Sequence, residues 1–383
     1  MRSNRFAVRE ALMGEPADTT PVGDGVALCL SGGGYRAMVF HVGVLWRLNE
    51  AGLLPTLTLV SSVSGGSITA GVLAMNWADL DVDESGVAPT DRFRTAVVDP
   101  VRAMAGQSVD IASVLAGLGL PFVSIADRVV TAYRQHLFGT KTLQDLPDDP
   151  FFVFNATNLE TADLMRFSKP YLGDYRVGRV LSPDLPLAVA VGASSAFPPF
   201  LSPCTVDLAD EKWVTDDGNM PDPAAFRTQI QLADGGVYDN LALQAAQSHS
   251  RLFVSDAGAH IKDDATPARD WPLQMLRVLD VIDNQVRSLR KRGLIADFDA
   301  NRRSGMYVGI RSHVADFALA DPIPADPQVT EQLAAIPTRL DRLDEPQQEL
   351  LINWGYAICD TGLRAHVTPG SRGTLPYPGR PLT

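Results

Sequence analysis

The sequence predicts an α/β protein, a three-layer sandwich with a mostly parallel central sheet flanked by helices. Three observations carry that expectation. An apolar run, Val26 to Leu30, leads through a glycine-rich turn into an amphipathic stretch; a second run, Leu57 to Val63, leads straight into a helix-like segment; and strand-like and helix-like stretches go on alternating to Ile310. Successive strand–helix units make neighbouring strands parallel, and a parallel sheet is covered by helices.

Residues 1 to 22 are polar, end near Pro21 and read as a leader. The fold proper begins with Val26 to Leu30, and the helix after it, Tyr35 to Glu50, sets Met38, Val42, Leu45 and Leu48 on one face before Gly52 stops it. Leu57 to Val63 is the second strand and Ser64 to Met75 the second helix. Asp79 to Arg92 is acidic and contains Pro and Gly, as a surface loop does. Val98 to His136 reads as helical but unusually apolar around Ile111 to Ile125, where Gly117, Gly119 and Pro121 break it. That segment suits either a buried helical layer or an apolar lid across a lipid site.

Phe151 to Asn158 and Leu164 to Ser168 form a strand pair around a turn at Glu160 to Asp163. Leu185 to Ser195 is helical and ends at Phe197, Pro198 and Pro199. Gln229 to Leu232 is a short strand, and Leu252 to Asp256, Leu273 to Lys291 and Tyr307 to Ile310 continue the alternation. From Asp321 the chain is richer in Pro and charge and finishes in a helix near Gln347 to His366, expected on the outside. The expected organisation is thus the leader, a main domain over 23–320, and an extension over 321–383 packed on it.

Composition narrows the function. Of 383 residues 45% are hydrophobic, enough for a sizeable core, and 45 acidic against 33 basic side chains give a net charge of −12. Nucleic acid and general attraction to anionic membranes are excluded as partners, so any lipid contact must be local and apolar. Cys29, Cys204 and Cys359 are odd in number and widely spaced, which argues against a disulfide framework or a zinc site. The N-terminus carries charge before any long apolar run and lacks the pattern of a secretion signal. A reducing, cytoplasmic location is expected, with at most peripheral contact at a membrane.

Two turns carry the chemistry. Ser31, Gly32, Gly33, Gly34, Tyr35, Arg36 and Ala37 lie between the first strand and its helix. Three successive glycines free the backbone to aim N–H groups at one point beside a positive helix end. Such a cradle serves a dinucleotide pyrophosphate, an oxyanion, or simply a tight turn. A dinucleotide site demands an acid at the end of the second strand, but that strand ends Val60, Ser61, Ser62, Val63. It carries instead the turn Ser62, Val63, Ser64, Gly65, Gly66, four-fifths of G-x-S-x-G. A serine on a sharp strand-to-helix turn is lifted clear of the sheet beside unpaired helix N–H groups, which makes Ser64 the candidate nucleophile.

A serine nucleophile needs a base. None of the six histidines lies in a suitable late loop, although His260, after the strand ending at Asp256, stays open. His41 shares the helical face of Gly34, two turns deeper, and reads as a packing or supporting residue. Asp234, at a strand end and followed by Gly235 and Gly236, offers a carboxylate that can approach another residue's hydroxyl closely.

Gly32 to Arg36, Ser64, and Asp234 to Gly236 together resemble, in order and spacing, the motifs of the patatin-like phospholipase family, over roughly residues 25 to 260. The stretch Ala193 to Pro198 is similar to the segment that precedes the aspartate in that family. The resemblance implies a Ser64/Asp234 dyad, no metal or organic cofactor, and cleavage of acyl esters in phospholipids or related lipids. It implies that Gly32, Gly33 and Gly34 form the oxyanion hole, with Gly65 and Gly66 supporting the loop or the substrate. Arg36 would steady that loop, approach a lipid phosphate, or pair with a nearby acid. Ser62 departs from the first elbow glycine and Ala37 from a glycine that often follows the arginine; both are small and alter loop geometry rather than abolish activity. The alternative from another class is a catalytically weak lipid-binding or signalling module with the same fold.

Overall fold

The computed structural model describes residues 23–109, 125–199, 201–214, 218–259, 261 and 263–383. The leader, the candidate lid up to residue 124, and His260 lie outside the described residues. The elements that place the site are, in order, β1 (Gly23–Leu30), α1 (Gly34–Glu50), β2 (Leu59–Ser62), α2 (Gly65–Met75), α3 (Asp99–Ala105) and α4 (Ile125–Tyr133). There follow β3 (Phe151–Asn158), β4 (Asp163–Phe167), β5 (Tyr171–Asp174), β6 (Gly178–Leu181), α5 (Leu187–Ser194), β7 (Cys204–Asp207) and β8 (Gln229–Asp234). The last group is β9 (His249–Asp256), α6 (Trp271–Asp299), β10 (Ser304–Gly309), α7 (Pro327–Ala334) and α8 (Glu345–His366).

Five strands in the order β10-β9-β1-β2-β3 are parallel, and β4, β5 and β6 extend the sheet as an antiparallel wing. The parallel strands are buried on both faces, which is why they read as unbroken apolar runs. Leu28 and Leu30 point into the thick layer of α1, α2, α5 and α8, while Ala27 and Cys29 point into a thinner one made by Leu241 to Ala246 and the end of α6. Strands β5, β6 and β7 escaped the sequence reading. Each is four residues long, and the first two carry Gly, Asp or Arg among their apolar residues, so no periodicity rises above a turn-rich background.

The pairing along β3 decides where the chemistry sits. β2 runs parallel to residues 151–154 of β3 and stops at Ser62; β8 then takes over the same edge, antiparallel, against residues 156–158, and stops at Asp234. Two strands therefore meet C-terminus to C-terminus along one edge.

Helix α8 was expected outside and is instead buried from Leu351 to Leu363, against α1 and β10. Its polar residues misled because their partners are internal: Asp360 receives the Arg47 guanidinium at 2.8 Å, and Asn353 donates to the Tyr377 and Arg380 carbonyls. The two helices touch through backbone. A methyl on Gly355 would lie 2.0 Å from the Phe40 carbonyl oxygen, and one on Gly43 would lie 1.9 Å from that of Ile352. No described helix is long and apolar enough to cross a membrane.

Candidate active site

Ser64 occupies the turn between β2 and α2 with φ 54° and ψ −123°, a left-handed conformation in which a non-glycine residue is strained. Neighbours hold it there. Its N–H donates to Ser194 Oγ at 3.0 Å, and Ser194 Oγ donates in turn to the Asn155 carbonyl at 2.6 Å. Ser67 bridges Ser194 to Ser62, at 2.9 and 3.0 Å, so the serine standing in place of the elbow glycine joins a chain of hydroxyls under the turn. Gly65 and Gly66 are required by close approach: added methyls would lie 2.2 Å from the Gly34 carbonyl oxygen and 2.4 Å from that of Leu30. Ser64 itself keeps 8% of its surface exposed.

The glycine loop is pinned from three distant segments. Ser31 N–H donates to Ser255, Gly32 N–H to the Asn240 carbonyl, and Tyr35 N–H to the Arg339 carbonyl, at 3.0, 3.2 and 3.0 Å. Gly33 has φ 143° and Gly34 φ 62°, so both need the freedom of glycine. Among the described residues the N–H groups of Gly33, Gly34 and Gly65 complete no hydrogen bond. The two turns are in contact: a methyl on Gly32 would come within 3.2 Å of Ser64 Cβ and within 2.4 Å of Asn240 Oδ1, and one on Gly65 within 3.1 Å of the Gly34 nitrogen.

His41 lies beneath this loop. Its Nε2 faces the Ser31 carbonyl at 3.0 Å and so carries the proton, leaving Nδ1 to accept from Ser255 Oγ at 2.8 Å. Burial lowers its pKa to about 4, and the neutral ring props the loop without reaching Ser64's turn.

Asp234 ends β8 and is almost wholly buried. Its N–H donates to the Ala196 carbonyl at 2.8 Å, which ties the aspartate to the end of α5. Oδ1 accepts from Gly236 N–H at 2.8 Å, whereas Oδ2 is buried without a completed hydrogen bond. The Ser64 hydroxyl stands near enough to favour the charged carboxylate while falling short of full hydrogen-bond geometry, as substrate-free sites often do. Burial pushes the carboxyl up to about 7 against the Gly236 N–H and the Ser64 hydroxyl, and Asp283 on α6 adds to the rise.

Among the described residues Arg36 forms no ion pair with an acid. It is buried on α1, and its guanidinium donates to the Ala257 carbonyl at 2.9 Å, to the Ile336 carbonyl, and to Thr338 Oγ1 at 3.1 Å. A planar fork with five donors suits such a set of carbonyls. These contacts agree with the expected role of loop support. Sequence reasoning missed Ser194, Asn240 and Arg339 as supports of the two turns. Only Ser194 left a signal, in the stretch Ala193 to Pro198.

A strand-to-helix serine, a buried aspartate on the same sheet edge and an unpaired glycine loop define a class: three-layer α/β proteins built around a serine elbow. The model of the family described as patatin-like phospholipase matches residues 28–246, and the chain belongs to that family. No curated protein matches the chain. Among solved structures it is similar to human GIVD cytosolic phospholipase A2, with 15% identity and a TM-score of 0.52, over 93% of this chain and 61% of that one. The same human protein in complex with methyl gamma-linolenyl fluorophosphonate gives 16% identity and a TM-score of 0.46, over 93% and 60%. VipD from Legionella pneumophila gives 17% identity and a TM-score of 0.38, over 88% and 66%. The chain thus spans about three-fifths of the human protein's length, and the likeness to it is one of fold.

Proposed function

We propose that this protein is a serine acyl hydrolase that cleaves carboxylic ester bonds of phospholipids or related lipids. The reading rests above all on the meeting of β2 and β8 along β3, which sets the Ser64 hydroxyl beside the buried Asp234 carboxyl. Family membership supplies the substrate class, and the human neighbour is described as a phospholipase.

In this mechanism Asp234, in its charged form, takes the proton of Ser64 as Oγ bonds to the acyl carbon. The carbonyl oxygen becomes an oxyanion and receives the N–H groups of Gly33 and Gly34, while Gly32 lets the loop come close to Asn240 and Ser64. Collapse breaks the bond to the leaving oxygen, and Asp234 returns the proton to the departing alcohol. Water then attacks the acyl-serine by the same route, giving up a proton to Asp234, and restores Ser64. Arg36 and Gly66 contribute by holding the two turns in register, the first through carbonyls and the second by its lack of a side chain.

A fluorophosphonate probe tests nucleophile, cradle and access together. Labelling of the wild type, absent in Ser64→Ala and strongly reduced in Asp234→Asn, is the expected result. Equal labelling of all three proteins would refute the assignment. Hydrolysis of a short-chain chromogenic ester separates an enzyme from the catalytically weak binding module, which would bind lipid without turnover.

A further inference from the structure

We propose that the first three turns of α6 are an interfacial anchor that seats the protein on an uncharged lipid surface beside its active site. This rests on the lipid-ester reading and adds how the substrate is approached. Fourteen large apolar residues of the described chain are strongly exposed, and ten of them lie on this one helix. Apolar groups scattered singly over a surface need no explanation, but a concentration of this kind marks an interaction site.

The helix packs into the body at its far end. Leu294 is buried and Phe298 packs in the thinner core layer, Arg290 pairs with Asp239 at 3.5 Å, and Arg287 faces Asp256 at 4.0 Å. Before these turns most of its residues are exposed. Trp271, Met275, Val278, Leu279, Ile282 and Leu289, at steps of mostly three and four residues, form a stripe facing solvent, with Trp271 78% exposed at the tip. Residues 271 to 282 make about 18 Å of helix.

Its occupant follows from three facts. Leu273, Leu276 and Val281 are exposed as well, so the apolar surface of these turns is wider than the single seam a partner helix covers and suits the broad apolar face that an interfacial helix sinks into lipid. The same helix borders the site, because a methyl on Gly258 would lie 2.3 Å from an Arg287 nitrogen and 2.7 Å from the Asn240 amide nitrogen, and Asn240 flanks the glycine loop. Two further exposed apolar residues stand near Asp234: Val237 follows it by three residues, and Phe197 adjoins Ala196, whose carbonyl accepts the Asp234 N–H. A net charge of −12 makes attraction to anionic lipid unfavourable, so the seat is apolar and the surface zwitterionic. An interfacial tryptophan at the tip suits the headgroup level.

The test uses the full chain carrying Ser64→Ala, so that lipid is not consumed, and phosphatidylcholine vesicles. Expected are co-sedimentation that resists high salt, a blue shift of tryptophan emission removed by Trp271→Phe, and a fall in partitioning of about tenfold or more in Leu279→Asp/Ile282→Asp. With Ser64 intact, the same double variant keeps wild-type turnover of a monomeric ester, which also reports that it is folded. Unchanged partitioning of the double variant, loss of wild-type binding in high salt, or a wild-type dimer that the double variant dissolves while vesicle binding persists would each overturn the proposal. If wild type binds vesicles through α6 but hydrolyses no ester, the anchor stands and the catalytic reading fails.

Discussion

Replacing Asp234 by Asn should abolish turnover and, at the same time, stabilise the protein increasingly as pH rises. The wild-type carboxyl has its pKa raised from 3.8 to about 7, chiefly by burial. A group whose folded pKa lies above its unfolded one contributes stability that is full below the unfolded value and is lost as pH rises through the folded value. At 1.36 kcal/mol per pH unit, a rise of roughly three units makes the charged carboxylate cost on the order of 4 kcal/mol at pH 8. About 2.5 kcal/mol of this accrues between pH 5 and pH 8. Asn keeps an oxygen for the Gly236 N–H and cannot ionise, so its stability lacks that slope. Urea unfolding of both proteins at matched pH cancels every other titrating group, and the stability difference, variant minus wild type, should grow by about 2.5 kcal/mol from pH 5 to 8. A difference independent of pH would show that Asp234 is not a buried carboxyl with a raised pKa, and the proposed base would lose its physical support. The activity counterpart is a rising limb: ester hydrolysis by the wild type should increase as pH passes through about 7, because only the charged form accepts the serine proton.

Ser64→Gly should remove activity yet raise stability by about 1 kcal/mol, because glycine adopts φ 54° without strain; a destabilised variant in thermal unfolding would contradict that account. Gly34→Ala sets a methyl 2.6 Å from the Arg339 carbonyl oxygen at φ 62°, and ester turnover should fall about a hundredfold or more; unchanged kcat would remove Gly34 from the oxyanion cradle. Arg36→Ala strands the Ala257 and Ile336 carbonyls and should cost about 3 kcal/mol in chemical unfolding, with phospholipid and neutral-ester activities lowered alike; selective loss of phospholipid binding would instead mark a headgroup contact. Ser194→Ala removes the acceptor of the Ser64 N–H, and should lower kcat about tenfold while leaving KM for a soluble ester unchanged.

The parts of the site that sequence made legible are those fixed by local backbone demands. Gly33 and Gly34 stand where φ is positive, Gly65 and Gly66 where a second backbone passes too close for a Cβ, and Ser64 at the turn between a buried strand and a helix; each leaves a trace within a few residues. Asp234 was legible as a carboxylate before two glycines, but the reason it meets Ser64 was not. That reason is the change of partner along β3, a register fact written in no single segment. Arg339, Asn240 and the carbonyls that hold Arg36 act through their backbones, so their side chains carry no signal of the role. Likewise α8 looked peripheral because Asn353 and Asp360 are polar, and only tertiary pairing explains their burial. The helix of α6 was visible by its pattern, whereas the solvent on its apolar side was not.

The fastening of α1 by the last third of the chain has a consequence for how the protein comes into being. The helix that carries the glycine loop is closed on one side by α8, and its Arg36 and Tyr35 bond to residues 334–339, all synthesised some three hundred residues after the loop itself. On a ribosome, the serine turn and its aspartate emerge long before these closing contacts exist. The glycine loop therefore gains the contacts that hold α1 from this side only after residue 339 has been made.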